Sequence, residues 1–163
     1  MTAYTTIASP LGDLLLVGDE NTLTSLSMPG QRNAPVVQPG WRPDAEPFAE
    51  VIRQLAGYFA GELTEFDIRL AESGTEFQQR VWRALEEIPY GATTTYGALA
   101  ERLGVARDRV QALGAAIGAN PLLVVRPCHR VIGADGSMRG YAGGVERKVR
   151  LLVHEGARQP ALF

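Results

Sequence analysis

Tyr96-Gly97-Ala98-Leu99-Ala100-Glu101-Arg102-Leu103-Gly104, continued by Val105-Ala106-Arg107-Asp108-Arg109-Val110-Gln111-Ala112-Leu113-Gly114-Ala115-Ala116-Ile117-Gly118, is the stretch that decides the fold class. Apolar residues at helical spacing predict a short helix over 96–103, a turn at Gly104 and a second helix from about Arg107 to Ile117. Two short helices joined by a glycine turn match a helix-turn-helix, although helical hairpins are common and most bind no DNA. The second helix is small over much of its surface, at Ala112, Gly114, Ala115, Ala116 and Gly118. Small residues let a backbone come close to something, and packing against another helix gives the same pattern.

Upstream of the hairpin, Thr75 is placed to cap a helix carrying Phe77, Val81, Trp82, Leu85 and Ile88, which Pro89-Tyr90-Gly91 ends. Further back the period changes. Tyr4–Ile7, Leu14–Val17 and Leu23–Ser27 are strand-like and separated by turn residues, an antiparallel meander. A Pro/Gly-rich loop over 29–47 leads to an amphipathic helix over 44–60, stopped by Gly61, and Phe66–Leu70 reads as a further strand. Downstream, Leu122–Val125 reads as a short apolar strand, Gly140-Tyr141-Ala142-Gly143-Gly144 as a glycine-rich loop, and Val145–His154 as a last helix ending at Gly156. The expected class is α+β: a small β-sheet unit over 1–72, then a helical unit over 73–163.

Composition narrows the function. The 163 residues are 45% hydrophobic and 21% charged, which excludes a disordered or collagen-like chain. Net charge is −2 with 16 Lys+Arg against 18 Asp+Glu, so a strongly basic nucleic-acid binder is excluded. The cations are uneven. Residues 1–74 hold only Arg32, Arg42, Arg53 and Arg69, and the rest follow, which points to an anionic partner for the second half. A single cysteine, Cys128, rules out an intrachain disulfide, and with two histidines no metal site is expected. The apolar run 14–17 is too short for a signal peptide or membrane span, so a cytoplasmic protein is expected.

Chemistry concentrates around Cys128. A lone cysteine is more often an inert core residue, but this one stands between Arg126 and His129-Arg130, a cationic setting that favours the thiolate. In an extended chain adjacent side chains point to opposite faces, so His129 deprotonates Cys128 only across a sharp bend or through a bridging water. Glu155 has Lys148 and Arg158 as nearby surface partners, and Arg147, Lys148 and Arg150 read as a solvated face or weak phosphate contacts.

Pro127-Cys128-His129-Arg130-Val131 resembles the active-site motif of the O6-alkylguanine-DNA alkyltransferases. Thr75-Glu76-Phe77-Gln78-Gln79-Arg80-Val81-Trp82, Ile88-Pro89-Tyr90-Gly91, Thr95-Tyr96-Gly97, Ala119-Asn120-Pro121, Gly140–Gly144 and His154-Glu155-Gly156 resemble family segments in the same order. The resemblance implies a ribonuclease H-like N-terminal unit and a winged-helix C-terminal unit. It implies Cys128 as the nucleophile that takes the alkyl group, His129 as its base through water, Glu155 orienting the histidine, and Asn120 fixing the turn before the cysteine. Tyr96 is implied to turn the target phosphate and donate to the guanine, and Tyr141-Ala142 to contact the flipped base. The family's helix-turn-helix enters the minor groove, which would lay Ala112 and Gly114 against the backbone. Its recognition helix begins with an arginine that fills the gap left by the flipped base; counting back from Asn120-Pro121, that position is Gln111 here. Arg107, Arg109 and Arg130 are further candidate DNA contacts.

The expected partner is double-stranded DNA carrying O6-alkylguanine, met by a monomer with room for clustering on DNA; no cofactor, metal or membrane is expected. Two rivals stand beside this reading. An alkyltransferase-like lesion sensor would bind without transfer, but such proteins have another residue at the cysteine position. A thiol hydrolase or redox enzyme would need a resolving cysteine or a further acid that the spacing does not offer.

Overall fold

A computed structural model describes residues 1–138 and 140–159. The chain packs as two units: Met1–Glu72 together with Pro121–Val125, and Ser73–Asn120 together with the described residues from Arg126 onward. Among the described residues no helix is long and apolar enough to cross a membrane.

In the first unit, β1 (Ala3–Ile7), β2 (Leu14–Gly18), β3 (Leu23–Ser27) and β4 (Arg42–Pro43) form one sheet in the order β3-β2-β1-β4. The β1-β2 and β2-β3 pairs are antiparallel, as the meander predicts, and β4 adds parallel to β1. Leu14, Leu16, Leu23 and Leu26 are buried. The helix expected over 44–60 starts later: Glu46–Phe48 is a 3-10 turn, and α1 is Ala49–Phe59. Its Val51, Leu55 and Tyr58 are buried, and Gln54 ties it to Asp67 through two hydrogen bonds, Asp67 N to Gln54 Oε1 at 2.8 Å and Gln54 Nε2 to Asp67 O at 3.0 Å.

Two expected strands do not form. Phe66–Leu70 meets the sheet only at Leu70, bridged to Leu23. Leu122–Val125 touches β3 at one bridge, Leu26 to Leu122, and then turns. Val124 sits at φ 69°, the left-handed region a β-branched residue rarely occupies. Burial of Leu122, Leu123 and Val124 holds the turn against that preference.

The second unit is helical. α2 (Glu76–Glu86) begins with a capping box: the Thr75 hydroxyl accepts from Gln78 N, and Gln78 Oε1 accepts from Thr75 N. Trp82 on α2 is buried and donates to Ala116 O at 2.8 Å. A Cβ on Gly74 would lie 2.8 Å from the Trp82 ring, so only glycine lets the chain pass there. β5 (Thr94–Thr95) leads into α3 (Tyr96–Leu103), which Thr95 caps and Gly104 ends in a left-handed turn. The second helix of the hairpin starts later than its spacing predicts. Arg107–Arg109 is a 3-10 turn, and α4 runs Val110–Gly118. β6 (Val131–Ile132) pairs parallel with β5, and α5 (Val145–His154) closes the unit.

Because the Thr75 hydroxyl supplies one arm of the capping box, Thr75→Ala should lower stability by about 1 kcal/mol in urea denaturation. An unchanged midpoint would mean that the Gln78 arm alone holds the turn.

Candidate active site

Cys128, His129 and Arg130 form a single 3-10 turn. Cys128 N donates to Arg126 O at 2.7 Å, and Arg130 N donates to Pro127 O at 3.1 Å. The extended chain that would place Cys128 and His129 on opposite faces is therefore absent, and the bend is built into the backbone. All three side chains are buried.

Glu155, the residue that caps the C-terminal end of α5, supplies the carboxylate. Glu155 Oε2 accepts from His129 Nε2 at 2.8 Å and from Arg130 Nη2 at 3.0 Å, and Oε1 accepts from Arg130 Nε at 2.8 Å. A surface pairing of Glu155 with Lys148 or Arg158 is replaced by a buried one. Arg130 donates its remaining reach to Ile88 O at 2.6 Å and lies 5.8 Å from the Tyr90 ring. Expected among the DNA contacts, Arg130 instead spends its donors inside the fold, because burying Glu155 requires a countercharge.

With Nε2–H donating to the carboxylate, the neutral imidazole keeps its lone pair on Nδ1. Nδ1 is buried and has no hydrogen-bond partner among the described residues. Burial lowers the His129 pKa, opposed by Glu155, so the ring is held neutral and able to accept a proton. An acceptor in that condition calls for a water.

The cationic neighbours do not make Cys128 a resting thiolate. Burial pushes the thiol from the ordinary 9.0 up to about 11, against the opposing pull of the Asn120 amide, Lys148 and Arg126. Asn120 is buried; its Nδ2 donates to Arg126 O at 3.0 Å, and its side chain also hydrogen-bonds Cys128.

Lys148 is the group the sequence hid. It is the only lysine in the chain, on a helix whose charges read as a solvated face, yet its relative exposure is 0%. Nζ donates to Gly140 O at 3.2 Å and lies 6.0 Å from the Tyr96 ring. Burial pushes it from the ordinary 10.5 down to about 8, partly offset by Cys128. Helical periodicity offered a signal: Leu151 and Leu152 are buried on the same side of α5, three and four residues on.

Tyr96 opens α3, half-buried. Tyr141 and Ala142 are half-buried in the glycine-rich loop, with the Tyr141 ring 6.5 Å from His129 in an edge arrangement. On α4, Leu113, Ala116 and Ile117 are buried, while Gln111, Gly114, Ala115 and Gly118 fall along the opposite face. Gln111, Arg107 and Arg109 are exposed, and Ala112 and Gly114 are half-buried. A Cβ on Gly114 or Gly118 would meet no atom within 4 Å, so internal packing does not require either glycine. Among the described residues no group of three or more His, Cys, Asp or Glu is placed to hold a metal ion.

A small sheet unit is thus followed by a helical unit that carries a helix-turn-helix and a buried Cys-His-Glu cluster. Residues 2–71 match the model of the 6-O-methylguanine DNA methyltransferase ribonuclease-like domain, and residues 76–157 that of the same family's DNA binding domain. The chain belongs to the 6-O-methylguanine DNA methyltransferase family. It is 50% identical over 161 residues to the methylated-DNA–protein-cysteine methyltransferase of Mycolicibacterium paratuberculosis, covering 99% of this chain and 96% of that one. The protein of the same name from Methanosarcina acetivorans is 46% identical over 154 residues, 94% and 98% of the two chains. The crystal structure of Mycobacterium tuberculosis OGT in complex with DNA superposes with a TM-score of 0.88 at 48% identity, covering 98% and 96%.

Lys148 gives this site a signature in stability. Between about pH 8 and pH 9 the unfolded chain keeps the Lys148 proton while the folded chain loses it, so its contribution to stability rises with pH. The raised Cys128 works in reverse above pH 9, where only the unfolded thiol ionises. Wild type should gain about 1 kcal/mol relative to Lys148→Met between pH 7.5 and pH 9 in urea denaturation. Parallel profiles would show that the amine is not desolvated.

Proposed function

We propose that this protein repairs O6-alkylguanine in double-stranded DNA by moving the alkyl group, once, onto Cys128. The observation that carries the reading is the Cys128–His129–Glu155 arrangement with His129 Nδ1 left open, in a chain of this family. The thiol proton passes through a water to Nδ1, and Glu155 stabilises the imidazolium that forms. The thiolate attacks the alkyl carbon; the S–C bond forms as the C–O6 bond breaks, and the electron pair leaves with the guanine. Tyr96, whose ring faces the Lys148 ammonium, donates a proton to the departing base. No water releases the resulting thioether, so each molecule acts once.

Cys128 lies below the surface, and the base must leave the stack to reach it, at a cost of a few kcal/mol. The outer face of α4 lies in the minor groove, where Gly114 and Gly118 let the DNA backbone approach. Glycine inside a helix costs about 1 kcal/mol against alanine, and among the described residues no close neighbour of a Cβ explains Gly114. Gln111, exposed in the first turn of α4, stands at the gap left by the base, with Arg107 and Arg109 on the preceding turn as phosphate contacts. Tyr141 and Ala142 flank the flipped guanine. The protein works as a monomer in the cytoplasm and uses no cofactor.

Two outcomes test this reading. Incubated with duplex DNA carrying labelled O6-methylguanine, wild type should take up one label per chain, and Cys128→Ser should bind the DNA but take up none. Label on the serine variant would mean that Cys128 is not the acceptor, binding without label on wild type would make the protein a lesion sensor, and turnover would make it a hydrolase. Gly114→Ala should raise folding stability by up to about 1 kcal/mol while weakening duplex binding, because the added methyl meets no atom of this chain. Stabilisation with unchanged DNA affinity would remove α4 from the interface.

A further inference from the structure

Arg126 precedes the active-site turn and is 6% exposed, a burial that a guanidinium tolerates only with partners. Its Cζ lies 5.0 Å from the centre of the Trp82 ring, Nε lies 3.4 Å from Glu86 Oε2, and Nη1 donates to Asn120 Oδ1 at 3.4 Å. The Arg126 carbonyl accepts from Cys128 N at 2.7 Å and from Asn120 Nδ2 at 3.0 Å. One residue thus holds both ends of the Asn120 amide as well as the backbone of the nucleophile.

An asparagine side chain is nearly symmetric in shape, and only its partners decide which end is oxygen and which is NH2. A cationic donor against Oδ1 fixes that choice and turns the NH2 donors toward Arg126 O and Cys128. We infer that Arg126 is a positioning residue for the transfer reaction: its buried guanidinium locks Asn120 with the amide donors toward the sulfur and stabilises the thiolate as it forms. Glu86, whose side chain is 41% exposed, partly neutralises the guanidinium and so opposes this effect.

The inference rests on Cys128 being the reactive thiol proposed above. The Asn120 side chain hydrogen-bonds that thiol, and the charges of Lys148 of α5 and of Arg126 act on it. His129, Arg130 and Glu155 share the buried turn next to it. Facing Arg126 are Glu86 and Trp82 of α2. Lys148 is kept in every variant, so differences between variants report Arg126 and Glu86.

The test is the pH dependence of Cys128 alkylation by iodoacetamide, which reads the thiolate whether or not the protein acts on DNA, alongside alkylation by free O6-benzylguanine. Arg126→Met should move the iodoacetamide profile about 1 pH unit toward alkali and slow the reaction about tenfold near neutrality. Arg126→Lys, which keeps the charge, should recover at least half of the shift. Glu86→Gln should move the profile toward acid and speed the reaction about threefold, a gain that loosened structure does not produce. A slower Arg126→Met reaction with an unmoved profile, equal losses in Arg126→Met and Arg126→Lys, or an unmoved or alkaline-shifted Glu86→Gln profile would each overturn the inference. If Arg126→Met does not fold, the sign of the Glu86→Gln shift decides. No label uptake by wild type from duplex DNA carrying O6-methylguanine, with a normal iodoacetamide profile, would overturn the proposed function and leave the role of Arg126 at the thiol intact.

Discussion

The buried Glu155 carboxylate governs the reactive unit. An ionised carboxylate this deep is tolerated only when its charge and lone pairs are taken up. Here Arg130 takes both oxygens in a forked pair, and His129 takes a remaining lone pair. That demand shapes the chain around it. The segment must turn tightly enough at Cys128–Arg130 for two consecutive side chains to reach one carboxylate, and α5 must end where the carboxylate can meet them. The same contact chooses the tautomer of His129 and so leaves Nδ1 as the proton acceptor. The ion pair that holds the fold also sets which nitrogen of His129 is open to accept a proton.

The second constraint is that burial keeps the Cys128 thiol protonated at rest. At about pH 11 for the thiol, neutral water leaves roughly one molecule in ten thousand as thiolate. Under the proposed reaction this would protect a group that acts only once from casual oxidation or alkylation, since the thiolate and not the thiol is reactive. For the proposed transfer, ionisation would have to be drawn out by the site: by His129 through water, by the Asn120 amide, and by the two buried cations Arg126 and Lys148. The sole lysine of an arginine-rich chain stands in this group. Arginine keeps its charge in any protein environment, whereas a desolvated ammonium titrates near neutrality. Lys148, pushed down to about 8 by burial, can give up its proton just above neutrality, which an arginine in its place could not do.

What the sequence discloses follows from which forces are local. α2 and α3 are legible because Thr75 and Thr95 cap them and their apolar residues repeat at helical spacing. Leu122–Val125 misleads for a physical reason: four apolar residues look like a strand, but here burial overrides backbone preference and turns the chain through Val124. Cys128, His129, Asn120 and Glu155 are named by their motifs, and the fold gathers them. Their environment is not in the motif. Charged neighbours argue for a ready thiolate, but desolvation is a property of the whole fold and wins. Lys148 and Arg130 are misplaced by the same route, because charge is read as surface, and only the folded unit supplies Gly140 O and Glu155 as partners.

On the proposed reading, reactivity and recognition are separated within the helical unit. The buried charged groups lie in the 3-10 turn and on α5 and its C-terminal cap. The exposed face of α4 is nearly featureless: two glycines, an alanine and a single amide at Gln111. Such a face has no fork of donors with which to read base edges, and it fits a partner whose backbone, not sequence, is recognised. On the proposed reading, discrimination would come after contact, from which base leaves the stack and brings its O6-alkyl carbon against Cys128. A weakly selective surface and a strongly selective interior would then suit a protein that inspects DNA of any sequence for one rare lesion.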